Sequence, residues 1–192
     1  MIEFRKPELT DRETIRRIVS ESGRMGCEYA FGNIFAWSVP FGVSVAVCCG
    51  FFVSYSENNG AYCFPAGSGN LKEIIEELKK DAYHRGNPLS LYGVTRNDAD
   101  ILKELYGDAV EFKEARNSFD YLYWTNDLIL LPGRKYHSKR NHISAFEKEN
   151  RWFVEEINGN NIDECVKMSV VWAEMNSDKN PVELAKEQTA LA

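Results

Sequence analysis

The sequence is poor in the residues that most often carry chemistry. Its 192 residues hold three histidines, five cysteines and six prolines. The cysteines (Cys27, Cys48, Cys49, Cys63 and Cys165) are odd in number and never spaced C-x-x-C. With only His84, His137 and His142 to join them, no zinc pattern forms and no metal ligand is assigned. This usage predicts buried, reduced thiols in a cytoplasmic protein. Also missing are H-E-x-x-H, a Ser-His-Asp order, a paired-carboxylate motif, a Walker lysine and G-x-G-x-x-G, so no catalytic base is assigned. The opening MIEFRKPELTDRE has no apolar stretch, and a secretory leader is not expected. No internal repeat or low-complexity segment is evident.

Charge is missing from one long run. Between Glu28 and Glu57 no residue is charged, a length sufficient to span a bilayer. The internal pattern argues otherwise. Phe41, Val43, Val45 and Val47 alternate with smaller residues, and Phe51, Val53 and Tyr55 alternate again after Cys48-Cys49-Gly50. Period two with β-branched and aromatic residues predicts a buried hairpin turning at Gly50, and no transmembrane segment.

What is present is ordinary for one good core: 44% hydrophobic and 27% charged residues, with net charge -6. An acidic balance argues against general coating of nucleic acid, so an anionic partner has to be met locally.

Along the chain, Ile2–Phe4 reads as a short strand. Thr10 and Glu13 read as a capping box for a helix with Ile15, Ile18 and Val19 on one stripe. The hairpin follows, then a turn at ENNG (57–60) and a third strand, AYCF. PAGSGN (65–70) superficially resembles a phosphate loop, but a helix-capping turn is the simpler reading. The helix after it has Leu71, Ile74, Ile75, Leu78 and Ala82 inward, and Gly86 suits its end. PLSLYGV, Val110–Phe112 and Phe119–Trp124 read as strands, with a helix at DADILKELYG between the first two. This order predicts an α/β fold with a mixed, mostly antiparallel sheet flanked by helices rather than a doubly wound sheet. Beyond Trp124 the pattern predicts one helical turn before Pro132-Gly133, a helix from Lys135 to about Asn150, a strand RWFVEEI, a helix after Asn161 and a last helix from Pro181.

The feature that stands out is LPGRKYHSKRNHISAF, Leu131–Phe146. It gathers Arg134, Lys135, Lys139 and Arg140 with His137 and His142, and no acid lies between Asp127 and Glu147. On a helix Lys135, Lys139 and His142 share a face, while Tyr136, Ile143 and Phe146 offer an apolar anchor to the first domain. Like charges at this spacing repel, which predicts a counter-charge from elsewhere: a carboxylate such as Asp120 or Asp127, or an anionic ligand. Arginine offers a planar fork for phosphate, lysine a mobile point charge, and the helix start adds free N–H groups.

This stretch resembles a bacterial family of uncharacterised proteins known as DUF2156, itself similar to the C-terminal catalytic region of phosphatidylglycerol lysyltransferase. The resemblance rests on Phe119-Asp120-Tyr121, Leu131, Gly133-Arg134-Lys135, His137, Lys139-Arg140-Asn141-His142-Ile143 and Phe146. EYAFGNIFAW and YCFPAGSGN also look like the family's earlier blocks. The resemblance implies two acetyltransferase-like (GNAT-like) lobes in tandem. Residues 1–128 would be the first, and residues 129–192 the basic helix plus the first elements of a second, incomplete lobe. The family's second lobe runs on for roughly another hundred residues, which predicts a truncated chain, inactive alone, that associates with itself through the incomplete lobe.

The resemblance further implies acyl or aminoacyl transfer, with an acyl-CoA or aminoacyl-tRNA donor. Arg134, Lys135, His137, Lys139, Arg140, Asn141 and His142 would bind an anionic substrate such as a tRNA or lipid phosphate. Two alternatives stand beside it. The basic helix is a non-enzymatic module for a phosphate-bearing ligand, or its cations are architectural and paired to acids.

Overall fold

The anticipated hairpin organises the fold. β1, Val43–Cys48, pairs antiparallel with β2, Phe51–Ser56, through a two-residue turn at Cys49 and Gly50, both at positive φ. The structure, a computed structural model, describes residues 2–178 and 180–191. β3, Ala61–Cys63, adds antiparallel to β2, and β4, Ala66–Gly67, pairs with the other end of β2. β5, Leu91–Tyr92, completes the sheet parallel to β3. The fold is therefore a mixed α/β arrangement whose sheet is mostly antiparallel, as the element order predicts.

All six residues of β2 are buried, because both faces of the sheet are covered. On one face Phe51, Val53, Tyr55 and Tyr62 meet Ile74, Ile75, Leu78 and Ala82 of α4, Leu71–His84, together with Leu102 of α5, Arg96–Tyr106. On the other, Val45, Phe52 and Cys63 meet Ile15 and Ile18 of α1, Arg12–Ser22, and Phe31 and Ile34 of α2, Phe31–Ala36. Each large apolar side chain so buried stabilises by about 1.5–3 kcal/mol. α3, Ser38–Phe41, precedes β1, and Lys186 of α9, Pro181–Leu191, lies over the Phe41 ring.

Buried charge in this layer is paired. Asp81 accepts from Tyr62 Oη at 2.7 Å and from Arg85 Nε at 2.6 Å. Asp98 accepts from Arg24 Nη2 at 2.8 Å and from Thr95 Oγ1 at 2.7 Å. PAGSGN is a capping turn: Asn70 Oδ1 accepts from the N–H groups of Lys72 and Glu73. Its glycines allow close approach, since a Cβ on Gly69 would lie 2.1 Å from the Cys49 carbonyl oxygen.

The described chain divides into two compact units, Met1–Lys113 with Val166–Ala192, and Glu114–Cys165. The second contains α6, Thr125–Leu130, α7, His137–Glu149, and the start of α8, Ile162–Met175. Several local readings change. Ile2–Phe4 is not a strand; the N-terminal segment makes one bridge, Arg5 to Val45. The Thr10–Glu13 capping box does not form. A turn at Leu9–Asp11 precedes α1, and Asp11 Oδ2 accepts from the Glu8 N–H at 2.8 Å. Val110–Phe112, Phe119–Trp124 and RWFVEEI are not strands. They have strand composition, but among the described residues no strand pairs with their backbone, and composition without a partner makes no ladder. Among the described residues no helix is long and apolar enough to cross a membrane.

Candidate functional site

α6 ends at Leu131, which takes the left-handed conformation at φ 43, and Gly133 follows at φ 72. The chain then makes a tight turn at Arg134–Tyr136 and enters α7. Arg140 holds this corner from the first turns of that helix. Its guanidinium donates to the carbonyls of Leu131 and of Gly133, the latter at 2.9 Å. A left-handed non-glycine residue persists only where its surroundings fix it, and this arginine supplies part of that constraint.

Asp127 is the counter-charge that the spacing of the cations predicts. Its Oδ2 accepts from Lys135 Nζ at 2.9 Å and from Tyr136 Oη at 3.1 Å. The lysine hydrogen bond holds the carboxyl below its usual range, burial opposes, and the tyrosine hydrogen bond helps. Lys135 is raised in return, first by its hydrogen bond to Asp127. Tyr136 is buried, and Lys135 Nζ lies 4.7 Å from the centre of its ring. Among the described residues no carboxylate pairs with Lys139, and its Nζ lies 5.9 Å from the centre of the Tyr123 ring.

Leu122, Tyr123, Trp124, Asp127, Lys135, Tyr136 and Lys139 line an open hollow of about 400 Å³. Two lysines and two exposed aromatic rings thus share one concave surface. Lysines of this kind attract an anion, and the ring faces suit a flat or cationic group.

The seven expected site residues are only partly brought together. Lys135 and Lys139 line the hollow, whereas Arg140 is committed to the corner. His137 Nε2 and Asn141 Nδ2 lie 3.2 Å apart on successive turns. Arg134 and His142 are exposed and form no side-chain hydrogen bond or ion pair among the described residues, and His142 does not line the hollow. Of the expected apolar anchors Tyr136 is buried, but Ile143 and Phe146 are 47% and 51% exposed. The run Leu122–Trp124 was misread as part of a strand, and its place in the lining was missed. Its signal was the nearness in sequence of three large apolar residues to the basic run.

A second polar cluster lies inside the first unit. Tyr29 Oη donates to the Phe64 carbonyl at 2.9 Å, and Tyr92 Oη lies 3.4 Å from Ser54 Oγ. Burial pushes the Cys63 thiol up to about 12. Glu28 Oε2 is buried and has no hydrogen-bond partner among the described residues. Of the five cysteines only Cys63 is fully buried, Cys27 is exposed and the others are half-buried, and among the described residues no disulfide forms. His84 Nδ1 lies 2.6 Å from the Lys80 carbonyl oxygen at the end of α4.

No curated protein matches the chain. Among solved structures, it is similar to a conserved protein of unknown function from Bacteroides thetaiotaomicron VPI-5482, at 29% identity and a TM-score of 0.89. The likeness covers 100% of this chain but 66% of the other, so the chain spans just under two thirds of that relative's length. The family described as phosphatidylglycerol lysyltransferase, C-terminal, matches residues 20–191, a range that holds the basic corner, the aromatic run and both faces of the sheet. By that match the chain belongs to the phosphatidylglycerol lysyltransferase C-terminal family, whose function is related to aminoacyl transfer.

Proposed function

We propose that the hollow beside the basic corner recognises the phosphate-bearing part of an acyl-transfer substrate. The donor is an aminoacyl-tRNA or another acyl donor such as an acyl-CoA, and the acceptor is a lipid headgroup. Lys135 and Lys139 carry the recognition, with Arg134, His137, Asn141 and His142 as outlying contacts. Arg140 shapes the corner. In this reading residues 1–128 form a GNAT-like lobe, and residues 129–192 open a second. One observation carries it: two lysines converge on the same concave surface as Tyr123 and Trp124, and one of them, Lys139, has no carboxylate partner among the described residues. Transfer of this kind depends on holding the donor and acceptor together, and charge placed on the phosphate supplies the grip.

The test is filter binding of unfractionated tRNA, and sedimentation with phosphatidylglycerol vesicles, for the wild type and Lys139→Ala. The substitution is expected to weaken binding to one of these several-fold and to flatten its salt dependence, because one phosphate contact is lost. Equal binding by both proteins to both probes would sink the reading. Salt-sensitive binding with no acyl transfer in any donor assay would favour the non-enzymatic module.

A further inference from the structure

Cys48 ends β1, and Cys49 opens the turn to β2. In a regular strand neighbouring side chains point to opposite faces, so adjacent cysteines are held apart. Here Cys49 has φ 53 and Gly50 φ 80, the left-handed pair that a tight hairpin turn requires. The turn swings Cys49 onto the same side as Cys48, and the two Sγ atoms lie 3.4 Å apart. Both residues are half-buried and both are free thiols. The turn is clamped from behind. A Cβ on Gly69 would meet the Cys49 carbonyl oxygen at 2.1 Å and the Phe51 ring at 2.8 Å, so this backbone has little room to relax.

We propose that Cys48 and Cys49 form a redox-active dithiol that low-molecular-weight disulfides oxidise to an intrachain disulfide. One cysteine thiolate attacks the external disulfide, forms a mixed disulfide and expels one thiolate. The neighbouring cysteine thiolate then attacks the protein sulfur of that mixed disulfide, forms the Cys48–Cys49 bond and expels the second thiolate. The protein loses two electrons and two protons, and the reagent leaves as two thiols. Adjacent Cα atoms are about 3.8 Å apart across a trans peptide, against roughly 4.4–6.8 Å in ordinary disulfides. The bond is therefore strained and easily reduced again, which suits a reversible modification and not a structural staple. The Cys49 thiol is pushed up to about 11 by its hydrogen bond with Cys48 and by burial, so reaction at neutral pH needs reagent in excess.

The experiment treats the folded protein with excess 2,2′-dithiodipyridine and digests it with chymotrypsin. The peptide 42–51 contains Cys48 and Cys49 and no other cysteine. It is expected to return lighter by two hydrogen atoms and free of pyridyl label. In Cys48→Ser and in Cys49→Ser the remaining thiol is expected to keep one pyridylthio group, and excess dithiothreitol is expected to restore the wild-type dithiol. A wild-type peptide that is unmodified, or that carries one or two pyridylthio groups, would overturn the proposal. So would single-cysteine variants that take up no label, because the attack requires an accessible thiol.

Discussion

Two stretches with similar strand-like character end in opposite environments. Phe51–Ser56 and Phe119–Trp124 are both short, aromatic and β-prone, yet the first is buried throughout and the second lies largely exposed, with Tyr121 at 85% and Trp124 at 82%. The difference is supply of partners. β2 has a strand on each side and a helical layer on each face. Among the described residues Phe119–Trp124 and the similar run Trp152–Ile157 have no pairing strand. Strand propensity is a preference for a pleated, half-buried surface, and without such a surface it fixes nothing. The first unit thus has a finished core, whereas these segments of the second keep most of their apolar side chains exposed.

Core substitutions should separate the two regions most sharply. Leu78→Ala removes a fully buried side chain and is expected to cost about 3 kcal/mol in urea unfolding. Leu122→Ala, at an exposed position, should stay within about 0.5 kcal/mol. Equal costs would break the comparison.

Next in size is the buried pair in the first unit. Asp98→Ala leaves Arg24 uncompensated, and because the Arg24 side chain keeps some contact with water the expected loss is about 2 kcal/mol. Burial raises the Asp98 pKa, but hydrogen bonds from Arg24 and Thr95 outweigh it, and the net shift is downward. A carboxyl lowered in the folded state stabilises fully above its ordinary value of 3.8 and loses that contribution as pH falls through the lowered value. Acid titration of melting temperature should show this loss in the wild type and much less of it in Asp98→Ala.

In the second unit the larger effect is on association. Phe153 and Val154 are 79% and 84% exposed, and unpaired apolar backbone of this kind invites strand addition from another chain. Sedimentation velocity should show concentration-dependent self-association that Phe153→Lys with Val154→Lys reduces. A strict monomer at every concentration would count against it. The smallest effect belongs to Lys135→Ala. Its pair with Asp127 is solvent-exposed, so melting should hardly move, whereas Arg140→Ala releases two carbonyls of the corner and should lower melting more. The reverse order would mean that the corner does not depend on Arg140.

Much of the first unit was legible residue by residue. The alternation from Val43 to Tyr55 gave the hairpin, Asn70 the start of α4, and the spacing of Ile74, Ile75, Leu78 and Ala82 its buried face. These signals are local, carried by period, cap and turn chemistry. The start of α1 was misread because Asp11 Oδ2 accepts from the Glu8 N–H, a local competitor of the expected Thr10 cap. For the candidate site the sequence located the cluster and the need for a counter-charge. It did not rank the cations, since Arg140 and Lys139 look alike as letters.

By itself, the sequence determined the hairpin, the main helices, the mixed and mostly antiparallel sheet, and a concentration of cations in an acidic chain. Those follow from periodicity and charge, which neighbours along the chain enforce. Tertiary structure decided which strand-like segments became strands, which cations were spent on carbonyls or a carboxylate, and that two adjacent thiols meet. Each of these depends on a partner distant in sequence or on the path of a turn, and a hydrogen bond or an ion pair exists only where both of its ends arrive.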